Sequence, residues 1–360
     1  MSSLVAPSQT DDILLTLRSI PDYWRHTFFM NNSTRLVHYS TDSTKHLVHN
    51  ALFLIEGILQ VGGNGIILLA ICSCKDLHRK EYINVVALAI GDLICGLNPV
   101  FNGPWRIYLL AEGTWNRIID NPLICFRNPT LHFLLYSGYL APTVLLIVSL
   151  DRFIACTSIR LYSKITAGWN FCFVAMAFVI AACLYVFSLL VTFRTPLNGR
   201  KAQNQCRLPF ALAINISKFY WFYQFLISTL AVLVYLIAVL HLRCGSSAHL
   251  TTMLKQRKER ERKVTITLAW VSFYTLIFYT LPLTIILVAS VTPLGRLVLK
   301  YGLGHACFLI MNTNSINNIL IYIKKSPTLR SAIVSLFRSR HVTVVAPLVT
   351  ASHMVSNTKY

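Results

Sequence analysis

Seven stretches of this sequence are each long and apolar enough to cross a bilayer, and nothing else about the chain restricts its fold as much. They cover roughly 47–74, 82–108, 131–156, 169–193, 218–242, 264–291 and 301–323, each rich in Leu, Ile, Val, Phe and Ala. A helical span needs about 20 mostly apolar residues. In hydrocarbon every backbone N–H and C=O must be satisfied within the protein, which leaves helices or a closed barrel. Barrel strands are shorter and alternate in polarity, unlike these runs. The expected fold is therefore all-α, a bundle of seven transmembrane helices. Composition excludes the soluble classes: 55% of residues are hydrophobic and 13% charged, about half the charged share usual in soluble domains. The chain has 33 Lys and Arg against 13 Asp and Glu. Because these cations lie mainly between apolar runs, they point to lipid headgroups and not to nucleic acid. The ten cysteines include no pair of CxxC units, so no structural zinc site is expected.

The first 46 residues are polar and lack an apolar start, so no cleavable signal peptide is expected. If this tail is outside, an odd number of spans places the C-terminus inside. The cytosolic loops then hold Lys75, Arg79, Lys80, Arg152, Arg160, Lys164, the cations from Arg243 to Lys263 and those from Lys324 onward. These are more than half of the Lys and Arg, a bias of the right sign. Asn31-Asn32-Ser33 and Asn32-Ser33-Thr34 make Asn31 and Asn32 candidate glycosylation acceptors. The domain reading is a tail over 1–46, the spans over 47–323, an amphipathic membrane-surface helix over 324–340 and a flexible cytoplasmic tail over 341–360. The short helix is read from Leu329, Ala332, Ile333, Leu336 and Phe337 at i, i+3/i+4 spacing, with Arg330, Arg338 and Arg340 between.

One polar or bulky marker stands in almost every span. Asn64 lies in the first and Asp92 in the second; Asp151-Arg152-Phe153 ends the third; Trp169 opens the fourth; Tyr235 lies in the fifth; Pro282 interrupts the sixth. The seventh ends in Asn314-Ser315-Ile316-Asn317-Asn318-Ile319-Leu320-Ile321-Tyr322. In this order the set resembles the rhodopsin-like family of G-protein-coupled receptors over about residues 50 to 340. Departures from that family's habits are Ile319 where a Pro is usual, Thr280 where a Trp is usual, and no Pro between Lys218 and Leu242. These losses resemble the divergent serpentine chemoreceptors of nematodes.

The resemblance implies a receptor that binds a small molecule and passes a helix rearrangement to a heterotrimeric G protein at the plasma membrane. It assigns Asp151, Arg152, Phe153, Tyr235, Asn318 and Tyr322 to the activation switch and G-protein coupling. It ties Cys125 to Cys206 in a disulfide between the top of the third span and the second outer loop. It also gathers Asn64, Asp92, Asn314, Ser315 and Asn318 into a polar core, which either holds a sodium ion or is a structural hydrogen-bond hub. No other cofactor is implied. An acid at the bilayer centre costs about 2.5–3.5 kcal/mol, so Asp92 has to be buried against partners.

For the ligand end, Glu56 either pairs with a basic group such as Arg106 or His305, the preferred reading, or faces a pocket. His132, Tyr136, Tyr139, Tyr279, Met311 and Asn312 are the candidate pocket residues. The upper third span has Leu134 and Leu135 and no Asp. The resemblance therefore disfavours a biogenic amine and suits an uncharged or weakly acidic molecule. A seven-span channel or transporter is the alternative, but inverted internal repeats are not visible. HExxH, GxSxG and P-loop motifs are lacking too, so the chain is not read as an enzyme.

Overall fold

The computed structural model describes residues 43–115, 117–195, 202–244, 252–291 and 303–342. Within them, seven helices are long and apolar enough to cross a membrane. The first five spans are Ser43–Ser73, Lys80–Ala111, Pro129–Thr157, Ala167–Arg194 and Ile214–Cys244. The sixth runs from Thr252 to Val291 and the seventh from Leu303 to Lys325. Each agrees with an apolar run to within a few residues, except that the sixth begins 12 residues earlier. There the basic segment Lys255 to Lys263 continues the helix, since Lys, Arg, Gln and Glu are good helix formers.

The fourth span shows how these helices pack. Its buried positions are Asn170, Val174, Ala177, Ala181, Ser188 and Thr192, a narrow stripe of small and polar side chains. Its large apolar residues, among them Phe171, Phe173, Met176, Val179, Phe187 and Phe193, point outward. This is the polarity of a helix in lipid, where small residues permit close backbone approach and bulky ones meet the chains. The first and second spans approach closely at glycines: a Cβ on Gly57 would lie 2.8 Å from Pro99, and one on Gly96 2.9 Å from Gln60.

Two proline effects shape the bundle. Pro282 follows a π-helical turn, Leu276–Thr280, which Leu281 closes by donating to the carbonyl of Leu276. A proline lacks the N–H and crowds the preceding turn, so the widened turn absorbs the misfit. In the seventh span Ile319 replaces the expected proline. Leu303–Lys325 runs on as α-helix, and the Ile319 side chain fills the space against Gly63 of the first span.

On one face of the bundle Ile118–Ile119 (β1) pairs antiparallel with Ala202–Gln203 (β2). A 3-10 helix, Pro122–Arg127, leads into the third span, where Asn128 caps the backbone of Thr130 and Pro129 takes the first position. On the opposite face, helix Ile159–Lys164 follows the third span, capped by Ser158. Helix Pro327–Val342 follows the seventh. It buries Leu329 and Ala332 while Val334 and Phe337 stay exposed, so the expected apolar face is split between bundle and surroundings. The expected tail over 341–360 is helical in its first two residues, and its remainder, 343–360, lies outside the described residues together with Asn31 and Asn32.

Candidate functional site

At the face carrying β1 and β2, Cys125 and Cys206 form a disulfide, with Cα atoms 5.3 Å apart and a sequence separation of 81. Beside it, Asn204 donates its backbone N–H to the carbonyl of Arg117 at 2.8 Å. Cys206 has φ +48°, the left-handed region that a residue with a Cβ enters only when its surroundings impose it. The bridge joins the second loop to the start of the third span. Cys125→Ser and Cys206→Ser are each expected to reduce surface expression to a similar degree, with the double variant little worse, because the two thiols act as one bond. Surface labelling of all three variants checks this, and additive losses would argue against the bond.

In the middle of the bundle Asp92 is buried. Ser315 donates its hydroxyl to Asp92 Oδ1 at 2.8 Å, and Asn318 donates from Nδ2 to Oδ2 at 3.0 Å. Two of the four expected partners therefore bond to the carboxylate directly. Asn64 instead donates to the carbonyl of Gln60 at 2.9 Å. Gln60, absent from the sequence reading, reaches across to the carbonyl of Asn312 at 2.6 Å and ties the first span to the seventh. The Oδ1 atoms of Asn64, Asn314 and Asn318 are buried with no partner among the described residues. A carboxylate and three orphaned amide oxygens, carried on the three spans that meet here, suit a hard cation. Sodium would supply the positive charge that the described side chains lack.

The end of the bundle away from the disulfide is closed around Arg152, which has no solvent exposure. Its Nε donates to Asp151 Oδ2 at 2.8 Å, and its Nη2 donates to the same oxygen and, at 2.7 Å, to the hydroxyl of Tyr162. Asn84 of the second span donates to that carboxylate oxygen as well, at 2.6 Å. Lys80 lies 3.9 Å from the centre of the Tyr162 ring and donates to the carbonyls of Tyr162 and Ile165 at 3.0 and 3.1 Å. The loop helix Ile159–Lys164 is thus pinned to the second span by a cation on its C-terminus and on its aromatic face. Tyr162, Asn84 and the role of Lys80 were missed in the sequence. A signal for Tyr162 was the Ser158 cap, which marks a short helix that begins seven residues past Arg152.

Tyr235 donates to the carbonyl of Thr265 at 2.6 Å, joining the fifth span to the sixth. Its charge environment includes Arg152, Asp151, Cys156 and Tyr322, so the expected inner residues share one neighbourhood. The Tyr322 hydroxyl is buried with no partner among the described residues. Phe153, next to Arg152, is half-buried.

The candidate pocket residues separate into two groups. His132 uses both ring nitrogens, one toward the Tyr185 hydroxyl and one toward the Phe126 carbonyl, each at 2.7 Å. Tyr136 packs edge-on against Tyr185. Tyr139 is fully buried and bonded to Ser188 at 2.7 Å. All three reach the fourth span, and Tyr139 also packs edge-on against Tyr220 and Tyr223 of the fifth. Tyr279 donates to Gln224 of the fifth span at 2.8 Å, and Tyr220 donates to the carbonyl of Leu134 at 3.0 Å. The aromatic cluster between the third and fifth spans is therefore packed and hydrogen-bonded. Met311 is buried; Asn312 Nδ2 is buried without a described partner. The preferred pair of Glu56 with Arg106 does not form. Glu56 Oε2 and Arg106 Nε are both buried with no partner among the described residues, and the Arg106 guanidinium lies over the ring of Phe53. The His305 side chain lies outside the described residues.

Seven apolar spans closed at one end around a buried arginine define a multi-pass membrane protein of receptor architecture. Residues 57–337 match the family of serpentine type 7TM GPCR chemoreceptors, Srsx, and the chain belongs to that family. It is also similar to olfactory receptor 10D1B of Mus musculus, 28% identical over 169 residues, covering 45% of this chain and 51% of that receptor. Trace amine-associated receptor 7c of Rattus norvegicus is 28% identical over 164 residues, 45% and 43% of the two chains. The chain spans about half the length of these curated relatives. Membership of a receptor family disfavours the channel or transporter alternative and agrees with the expectation that the chain is not an enzyme.

Proposed function

We propose that this protein is a plasma-membrane chemoreceptor that couples binding of a small molecule to a heterotrimeric G protein. The observation that carries the reading is the solvent-free Arg152, held by Asp151 and Tyr162 next to Tyr235. A charge buried in this way is retained where it has a second partner to meet. In the active state Arg152 leaves Asp151 as the sixth span swings outward from its π turn, and faces the G protein. The basic start of the sixth span borders the same opening, where it favours acidic protein surface or anionic lipid. The N-terminal tail is outside, and helix Pro327–Val342 lies on the inner leaflet with Phe337 and Val334 toward the lipid. The names of the two relatives support a small-molecule ligand. Expression in cells carrying a panel of G-protein reporters, challenged with a small-molecule library, tests the proposal: a ligand-dependent signal supports it. A ligand-evoked current that needs no G protein counts against it.

Asp92 links the outer and inner halves in this scheme. Asp92→Asn keeps the size and most hydrogen bonds but removes the charge, so ligand affinity is expected to persist while coupling changes. If sodium occupies the core, agonist affinity of the parent falls as sodium rises, and the variant loses that dependence. An equal sodium response in both proteins would leave Asp92 as a hydrogen-bond hub only.

A further inference from the structure

The outer half of the bundle holds a cation, Arg106, whose buried Nε has no partner among the described residues. Arg106 lies on the second span, after Pro104 and about one and a half turns before the helix ends at Ala111. A lone arginine at that depth ordinarily extends its head outward to the interface. Here the guanidinium is turned inward instead, 6.0 Å over the ring of Phe53, and its Nε is buried. It makes no hydrogen bond or ion pair to any described residue. Phe53 in turn stacks on His49 at 6.4 Å and meets Phe308 of the seventh span at 6.3 Å. The charges around this ring are basic. Arg207, just past the disulfide, bears on Arg106; Arg106, Arg207 and His46 bear on His49; no described carboxylate acts on either group. Glu56 sits one turn along the first span from Phe53 and is not within ion-pair distance of Arg106.

Gathering like charges out of water without a counter-ion is costly, several kcal/mol for an ion with no partner. A planar guanidinium over an aromatic ring is the fork that receives a carboxylate on two nitrogens. The aromatic groups of the third to sixth spans, by contrast, hold one another or a neighbour: His132 with Tyr185, Tyr139 with Ser188, Tyr279 with Gln224.

We propose that Arg106, above Phe53 between the first, second and seventh spans, anchors the carboxylate of an acidic small-molecule ligand, with Arg207 lending its charge and His49 a ring N–H. This rests on the reading that the receptor takes a small molecule from outside. It places the ligand's head group away from the aromatic cluster of the third and fifth spans. The ligand's apolar part lies along Phe53 and Phe308, and Asn312 Nδ2 below them is a further free donor.

The test does not pass through the G protein. Thermal unfolding of the purified full-length receptor is followed with a series of short- and medium-chain monocarboxylates, the matching primary alcohols and the matching amines. Carboxylates are expected to raise the unfolding temperature of the parent, whereas alcohols and amines do not. Arg106→Gln removes the shift, Arg106→Lys weakens binding by at least about tenfold because the fork is lost, and Glu56→Gln leaves or strengthens it. If no carboxylate stabilises the parent, or if Arg106→Gln keeps the full shift, the proposal is wrong. Loss of carboxylate binding in Glu56→Gln would also overturn it, by making Glu56 part of the same site. Should Arg106→Gln fail to fold, Arg106→Lys and Arg207→Gln carry the comparison. Carboxylate binding without any G-protein signal would leave this site standing and count against the coupling scheme alone.

Discussion

Arg152→Ala is expected to abolish ligand-driven G-protein activation while the protein still reaches the cell surface. The alanine removes the side chain that bridges Asp151 and the loop tyrosine. Asp151 keeps a partner after the change, since Asn84 still donates to it. The fold is therefore stressed less than a deleted buried arginine would suggest. Tyr162→Phe is the complementary case. It keeps the ring that Lys80 covers and removes only the hydroxyl that bonds to Arg152. A hydrogen bond to a charged group contributes roughly 1.5–3 kcal/mol. If that bond exists only in the closed state, its loss shifts the equilibrium about 10–100-fold toward the open state, so basal signalling rises. Reporter output normalised to surface labelling reads both variants. Silence in Tyr162→Phe, with normal ligand response, would show that the bond persists in both states.

The second large effect is expected at Gly138. A Cβ there would collide with the hydroxyl of Tyr220 and lie 2.5 Å from Gln224 Nε2. Tyr220 cannot step aside: it is buried, and its hydroxyl bonds to the Leu134 carbonyl one turn earlier on the third span. Overpacking of this kind costs roughly 1–3 kcal/mol, enough to reduce cellular abundance several-fold. Gly138→Ala should therefore deplete the receptor from the surface, and Tyr220→Phe in the same chain should restore part of it by removing the colliding oxygen. Normal abundance of Gly138→Ala would mean that the third and fifth spans are not packed as described.

The spans were legible because a bilayer makes their length and composition obligatory, and the family markers followed their order. Asp92 with Ser315 and Asn318 was legible too: an intramembrane acid needs donors, and only a few spans offered them. What escaped were contacts made by residues with ordinary identities. Tyr162 is one tyrosine among 16 in the chain, and nothing local shows that a loop helix turns it under Arg152. Gln60 gave no periodic or charge signal, and its role depends on where the seventh span lies. His132, Tyr136 and Tyr139 looked like pocket residues because the third span is central. Which face of that helix meets the fourth span is a property of packing, and it sends all three there. Glu56 and Arg106 carry opposite charge on neighbouring spans, which made a pair the natural expectation. Helix rotation separates them, and sequence spacing alone does not encode rotation.

The central claim is that ligand binding outside is converted into nucleotide exchange inside through Arg152. The direct measurement is ligand-stimulated guanine-nucleotide exchange by purified receptor and heterotrimeric G protein in lipid nanodiscs, beside recordings from excised patches of cells expressing the same chain. The account predicts exchange that rises with ligand, vanishes in Arg152→Ala and has no accompanying current. Ligand-evoked current in nucleotide-free patches, unchanged by Arg152→Ala, would contradict it.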